Sequence, residues 1–460
     1  MVHNRNPDCR RGLDQPEHLS GQHMVPVRGQ SRLGRAGHHV EKMEPVDRAD
    51  CDHYNISTPS GPEYFMTVAH AQAPAAMIED QAKSWYCPLP FRAVFVDSTG
   101  ISPCCMIPRE PVDLVAYPTP AVKGIQEDFI KGAIPTACKV CHTNERSFGR
   151  SIRTEAVKDY QSKIYHDFDI DNIDFRSSNI CNFRCRSCNT AFSHGIHQEV
   201  IATPSLSRFL GPPRPSKIVS IDENNKQYIL NNLHKIRRFM FTGGEPTVIP
   251  EVRTILEKIL HRGHPDVQIL ITSNCSFTDD FWYEFTLKTS NLHWTASIDA
   301  VSTDAEFIRD GTKWAVVEKN VRWLATHASS LDINTVVSNL NILKLKPLLH
   351  LASELQQLSR HPHGQHGDLG CRHQFIVAFE PRLSALNWPD DLRPKVIAYL
   401  QECLDMPLDS EQIQTIKQLI KEIGARPFNQ EDWQQALECN KMLDLSRDQK
   451  YSDIMFEAAG

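Results

Sequence analysis

Cys181, Cys185 and Cys188 place three thiols on one short segment, in a C-x3-C-x2-C spacing. Three thiolates this close can each ligate one iron of a cubane, leaving the fourth iron without a protein ligand. An open position is what lets a bound metal do chemistry. A zinc ion held by the same cysteines with His194 or His197 is the alternative, although structural zinc usually draws its ligands from two separated pairs.

A second constellation, Phe241-Thr242-Gly243-Gly244-Glu245-Pro246, follows further along the chain. Paired glycines allow a ligand to approach the backbone closely, and the carboxylate of Glu245 is a hydrogen-bond acceptor for a cation. A third comprises Cys87, Cys104, Cys105, Cys138 and Cys141, from which a four-thiolate site can close. The last two form a C-x2-C pair, which zinc ribbons also use, so zinc and a cluster are both open there. Cys275, Cys371, Cys403 and Cys439 are isolated and read as small buried hydrophobes, while Cys9 and Cys51 fall in a segment without a core. The His361-Pro362-His363-Gly364-Gln365-His366-Gly367 stretch reads as a solvated loop.

The elements that must position these groups alternate. Short apolar runs at 172–175, 236–241, 267–272, 293–298, 332–337 and 374–379 read as strands, with amphipathic segments between them. In one such segment Trp314, Val317, Val321 and Leu324 share a helical face. This order predicts an α/β fold, a partial (β/α)6 TIM-like barrel with a parallel sheet and right-handed crossovers. The cysteine run follows the first strand and the glycine pair the second. Ser273-Asn274, Ser297 with Asp299, Ser338-Asn339 with Asn341, and Glu380 fall at later strand ends, where parallel α/β sheets bind ligands.

Four regions are expected. Residues 1–80 form a disordered or spurious extension, with Met66 or Met77 as alternative starts; residues 1–53 contain no Phe, Trp or Tyr. Residues 85–165 form a small, mostly irregular cysteine-rich module, opened by a strand at 91–96 and a turn at Asp97-Ser98-Thr99-Gly100. Residues 170–385 form the α/β core, and 389–460 a helical extension. A chain of 460 residues with 40% hydrophobic and 23% charged residues has the composition of a globular protein. Its net charge of −6 argues against a dedicated nucleic-acid binder. No apolar run approaches a membrane span, and the first residues lack a signal peptide. The expected setting is therefore the reducing cytoplasm, where 14 cysteines serve as ligands or core residues rather than disulfides.

The cysteine loop after the first strand, with Gly-Gly-Glu-Pro after the next, resembles the signature of the radical S-adenosylmethionine superfamily. The resemblance spans roughly residues 85–385. It implies a [4Fe–4S] cluster on Cys181, Cys185 and Cys188 whose open iron chelates the methionine part of S-adenosylmethionine. One electron then yields methionine and a 5′-deoxyadenosyl radical that abstracts hydrogen from substrate. Gly243, Gly244, Glu245 and Pro246 correspond to the platform for the methionine ammonium. Asn274, Ser297 and Asp299 become candidate cofactor contacts, and Arg309 a candidate carboxylate partner. Ser187 stands where relatives commonly carry an aromatic residue. The N-terminal cysteines resemble the twitch module, half of a SPASM domain, which implies a second [4Fe–4S] cluster. Spacing from Gly100 selects Cys105 as a ligand, and the Pro103-Cys104 pair selects Cys104. The family implies a reducing partner such as flavodoxin or ferredoxin and, through the auxiliary module, a peptide or protein substrate. A nucleic-acid modifying radical enzyme and a non-catalytic zinc or iron–sulfur scaffold are the alternatives.

Overall fold

The computed structural model describes residues 65–67, 85–97, 99–148, 151–176, 178–213, 223–262, 267–359 and 371–450. The arm at 1–53, Met77 and the histidine-rich loop lie outside the described residues.

Among the described residues eleven strands form in chain order: β1 Phe65–Thr67, β2 Ala93–Asp97, β3 Gly100–Ser102, β4 Asn172–Arg176, β5 Arg184–Cys185, β6 Arg238–Phe241, β7 Gln268–Ser273, β8 Leu292–Ser297, β9 Arg309–Asp310, β10 Ser330–Val337 and β11 Arg372–Ala378. Nine make one sheet in the order β1-β11-β10-β8-β7-β6-β4-β2-β3, and β5 pairs separately with β9. The run from β2 to β11 is parallel throughout. β3 and β1 pair antiparallel at its two edges. The six strands expected from the apolar runs are β4, β6, β7, β8, β10 and β11. β2 adds a seventh: the strand expected to open a separate irregular module instead pairs with β4, Ala93 opposite Asn172. Phe65–Thr67, from the expected extension, lies along β11.

Strands β6, β7 and β8 alternate strictly in burial, whereas β2 is buried over four consecutive residues. On β4, β6, β7 and β8 the residues Ile173, Phe175, Phe239, Phe241, Ile269, Ile271, Leu292, Trp294 and Ala296 belong to one core. The helices Pro250–Arg262 and Trp314–His327 cover that face, through Val252, Ile255, Leu256, Val317, Val321 and Leu324. The opposite face carries half-buried Asp174, Arg176, Arg238, Met240, Thr272, His293, Thr295, Ser297, Asp332 and Asn334. A parallel sheet apolar on both faces is the rule where helices cover both; here the opposite face is polar and half-buried from β6 to β10, with Ala93 and Phe95 of β2 buried on it.

The helical extension packs on the same sheet. Helix Ser410–Ala425 lies against β11, with Ile416 and Leu419 in a core shared with Phe375 and Val377. His373 of β11 fixes this contact. Thr335 donates its hydroxyl proton to the Ile298 carbonyl, so His373 Nε2 must supply the proton to Thr335 Oγ1, 2.8 Å away. Nδ1 then accepts from Gln412 Nε2 at 3.1 Å. Both ring nitrogens are satisfied only in the neutral imidazole.

Burial accordingly lowers the His373 pKa from 6.5 to about 3. In the unfolded chain the same imidazole takes up a proton below its ordinary value, so the neutral folded form loses stability as pH falls from 6.5 toward 3. The sensitivity amounts to about 4 kcal/mol over that window. Urea unfolding from pH 7 to pH 3.5 is expected to show a steeper loss in the wild type than in His373→Gln. Equal slopes would show that His373 is not held neutral.

Candidate active site

The cysteine loop is built by the crossing of two strand-end segments. After β6, the Glu245 N–H donates to the Ile180 carbonyl at 2.7 Å, and the Gly244 N–H donates to the Ser178 carbonyl at 3.0 Å. At Gly244 a Cβ would sit 1.9 Å from the Ile180 oxygen, and at Gly243, whose φ is +116°, 2.8 Å from Arg176 Cγ. The paired glycines are therefore required by the approach of the cysteine loop itself. On the other side, β5 pairs with β9, Cys185 opposite Arg309. Gly311, at φ +102°, leaves room for the Asn182 carbonyl, which a Cβ would meet at 2.8 Å.

The three thiols are neighbours. Burial pushes Cys181 up, reinforced by Cys185 and Glu245, and Cys188 up to about 12, reinforced by Cys185. Burial also raises Cys185, with Arg309 opposing. The Arg309 guanidinium donates to Asp299 at 2.9 Å, and its Nε is buried without a partner among the described residues. Burial opposes its charge, while Cys185 and Asp299 sustain it. A cation thus stands beside thiols that would be anionic with iron bound. Among the described residues no three His, Cys, Asp or Glu side chains are arranged around a single metal ion, whereas a cubane takes its thiolates one per iron.

Glu245 is fully enclosed, and its carboxylate already accepts four hydrogen bonds. They come from the Thr247 N–H and hydroxyl, the Ser273 hydroxyl and the Asn274 N–H, at 2.7–3.1 Å. Burial raises its pKa and these donors oppose the rise. It locks β6's end to β7's end, and Oε2, with one donor, keeps acceptor capacity. Asn274 continues the link, donating to Asn182 in the cysteine loop at 2.8 Å. Asp299 is committed to Arg309 and to the Val336 N–H. Ser297 is half-buried on the polar face of the sheet. Asn341 turns inward to the Asp299 and Val336 carbonyls, and Glu380 accepts from Arg382.

Arg382 is the functional residue that sequence reasoning missed. Its buried guanidinium donates to the carbonyls of Arg186, Ser187 and Cys188, at 2.6, 3.3 and 3.1 Å, and so holds the loop's backbone from beneath. Arg186, also buried, reaches from the loop to Asn440, Asp444 and Gln449. The C-terminal helix Gln430–Arg447 is thereby fastened over the loop, and Cys439 and Leu443 pack with Ile196 and Val200 beside Cys188. Arg447 closes the contact through a buried ion pair with Glu199 at 2.6 Å. Burial alone would raise Glu199, but Arg447 draws it below its ordinary value. Between 194 and 263 residues separate each partner from its contact, and no local pattern marks them.

The N-terminal cysteines converge in a second place. Cys87, Cys104, Cys138 and Cys141 line one pocket with Arg153. Burial raises Cys87, and pushes Cys138 up to about 12, each reinforced by Cys141. Cys105 is outside this lining; its charged neighbours are Asp174, Arg176 and Arg109. Of the two adjacent cysteines, the structure brings Cys104 to the quartet. Arg153 is fixed there by the Tyr86 carbonyl at 3.0 Å and by Glu145.

Residues 175–352 match the model of the Radical SAM superfamily. No curated protein matches the chain. Among solved structures, Streptococcus suis SuiB bound to precursor peptide SuiA is similar at 11% identity and TM-score 0.32 over 62% of this chain, which spans 59% of SuiB. The radical S-adenosylmethionine methyltransferase TsrM from Kitasatospora setae, with tryptophan and a cofactor analogue bound, is similar at 11% identity and TM-score 0.28. That match covers 39% of this chain and 34% of TsrM. No helix among the described residues is long and apolar enough to cross a membrane.

Gly244→Ala places a methyl carbon against the Ile180 carbonyl and is expected to destabilise the fold by about 3 kcal/mol. The same variant should retain less than about half the wild-type iron after anaerobic reconstitution. Arg382→Met, which strips three carbonyls of their donor, is expected to lose iron faster under chelator challenge than the surface variant Arg253→Met. Iron retention equal to wild type in both site variants would show that neither contact supports the loop.

Proposed function

We propose that the chain is a radical S-adenosylmethionine enzyme that abstracts hydrogen from a peptide or protein. The observation that carries this reading is the junction of the three-thiol loop with the Gly-Gly-Glu-Pro segment at adjacent strand ends, within the region that matches the superfamily model. Cys181, Cys185 and Cys188 would hold a [4Fe–4S] cluster, and the set of three leaves one iron for a non-protein ligand. When bound, the cluster supplies one electron to S-adenosylmethionine, giving methionine and a 5′-deoxyadenosyl radical.

The chain's own residues do the rest. Gly243, Gly244, Glu245 and Pro246 form the edge against which the cofactor's amino acid part would lie, with Glu245 Oε2 as acceptor. Arg309 offsets the thiolate charge. The C-terminal helix and Arg382 exclude water from the loop's inner side, and the polar sheet face would receive substrate inside a partial barrel of TIM type. Cys87, Cys104, Cys138 and Cys141 fit a second [4Fe–4S] cluster in a twitch-like module, with Arg153 beside it. A flavodoxin or ferredoxin in the cytoplasm would deliver the electron. The peptide assignment follows from the cluster-bearing modules of relatives that modify peptides.

The test is anaerobic reconstitution, reduction with dithionite and chromatography of 5′-deoxyadenosine after adding S-adenosylmethionine. Wild type should form it, and the Cys181→Ala/Cys185→Ala/Cys188→Ala variant should not, yet should keep the iron of the second cluster. Zinc-loaded, inactive wild type would replace the reading with a metal scaffold.

A further inference from the structure

Arg176, the last residue of β4, is half-buried on the polar face between the glycine pair and the N-terminal module. Its stem lies against Gly243, where a Cβ would touch Cγ at 2.8 Å. Its guanidinium contacts two rings, with Cζ 5.1 Å from the Phe95 centroid and 4.9 Å from that of Phe192. Nε donates to Thr242 Oγ1 at 3.4 Å.

Two carboxylates lie nearby, Asp97 and Asp174, and the charge of Arg176 is the strongest cationic influence on Asp174. Asp97, opposite Arg176 on β2, accepts from Arg109 Nε at 3.1 Å and from the Thr99 N–H and hydroxyl. Asp174 accepts from Thr242 at 3.2 Å. Among the described residues no carboxylate pairs with the two terminal amino groups of Arg176. Phe192 is 37% exposed, so one wall of the stack faces solvent.

We propose that Arg176, packed on Phe95 and Phe192, is the receptor for a carboxylate of the peptide substrate, either an acidic side chain or a chain terminus. A guanidinium resting on two rings, with Nε turned to Thr242, has its two terminal amino groups left as the fork that a carboxylate accepts bidentately. The rings also displace water from its faces, which strengthens the charge-assisted bond. Asp97, Asp174 and Asp332 share this face of the sheet, and each is met by a donor, Arg109, Thr242 and Arg372 respectively. The position, beside the cofactor platform and Cys105, anchors a peptide across the strand ends.

The inference rests on the peptide-directed reading above. It is tested on anaerobically reconstituted protein by phenylglyoxal modification of arginines, mapped by mass spectrometry, with acetylated hexaglutamate as probe and hexaglutamine as control. Hexaglutamate should slow modification of Arg176, while hexaglutamine should not. Arg176→Gln should weaken binding of fluorescent hexaglutamate about tenfold or more, and Arg176→Lys by less, because a bidentate pair becomes a point contact. Circular dichroism of each variant separates lost binding from lost fold, and protection in the wild type needs no variant. Arg176 left unprotected, or protected only by S-adenosylmethionine or better by a uridine hexanucleotide, overturns the proposal. Protection by hexaglutamate in protein that forms no 5′-deoxyadenosine leaves the carboxylate site standing and sinks the radical reading. Formation of 5′-deoxyadenosine without protection does the reverse.

Discussion

Everything at the candidate site depends on the contact between Gly244 and Ile180. The backbone following β6 passes so close to the backbone entering the cysteine loop that a single methyl would stand 1.9 Å from a carbonyl oxygen. Two hydrogen bonds, from Gly244 and Glu245, fasten the crossing. The carboxylate of Glu245 then carries the constraint across to Ser273 and Asn274 at the end of β7. Three consecutive strand ends are thus one rigid unit. The thiols inherit their positions from it, which is the preorganisation a metal site needs from the groups behind its ligands.

A second set of contacts closes the loop from the opposite side, and it comes from far along the chain. Arg382 gathers three loop carbonyls, Arg186 reaches the C-terminal helix, and Arg447 meets Glu199. Buried arginines are costly unless their donors are used, and several of these donors meet carbonyls and carboxylates at short range. The helical extension is in this sense part of the site, since it supplies the Asn440, Asp444 and Gln449 contacts of Arg186 and the Arg447 contact of Glu199.

Much of this was legible in the sequence where the signal is local. Strands β4, β6, β7, β8, β10 and β11 follow from apolar runs, because period-two burial imprints itself on consecutive residues. The three-thiol loop and the glycine pair follow from residue type and spacing. The purpose of the glycines did not, because the carbonyl that excludes a side chain at Gly244 belongs to another strand end. β2 reads as a strand, but nothing in it announces that its partner is β4. The choice between Cys104 and Cys105 is equally a matter of direction, since adjacent side chains diverge and only the fold says which faces Cys87 and Cys138. Arg186, Arg382 and Arg447 are single charged residues among many, and their meaning lies in contacts across the chain.

The proposed function stands or falls on whether Cys181, Cys185 and Cys188 hold a cluster with one iron open to S-adenosylmethionine. Electron paramagnetic resonance of the dithionite-reduced Cys87→Ala/Cys104→Ala variant, recorded with and without S-adenosylmethionine, addresses this most directly. The account predicts a [4Fe–4S]+ signal whose g-values shift when S-adenosylmethionine is added. A cluster signal indifferent to S-adenosylmethionine, or no iron signal once the N-terminal cysteines are altered, would contradict it.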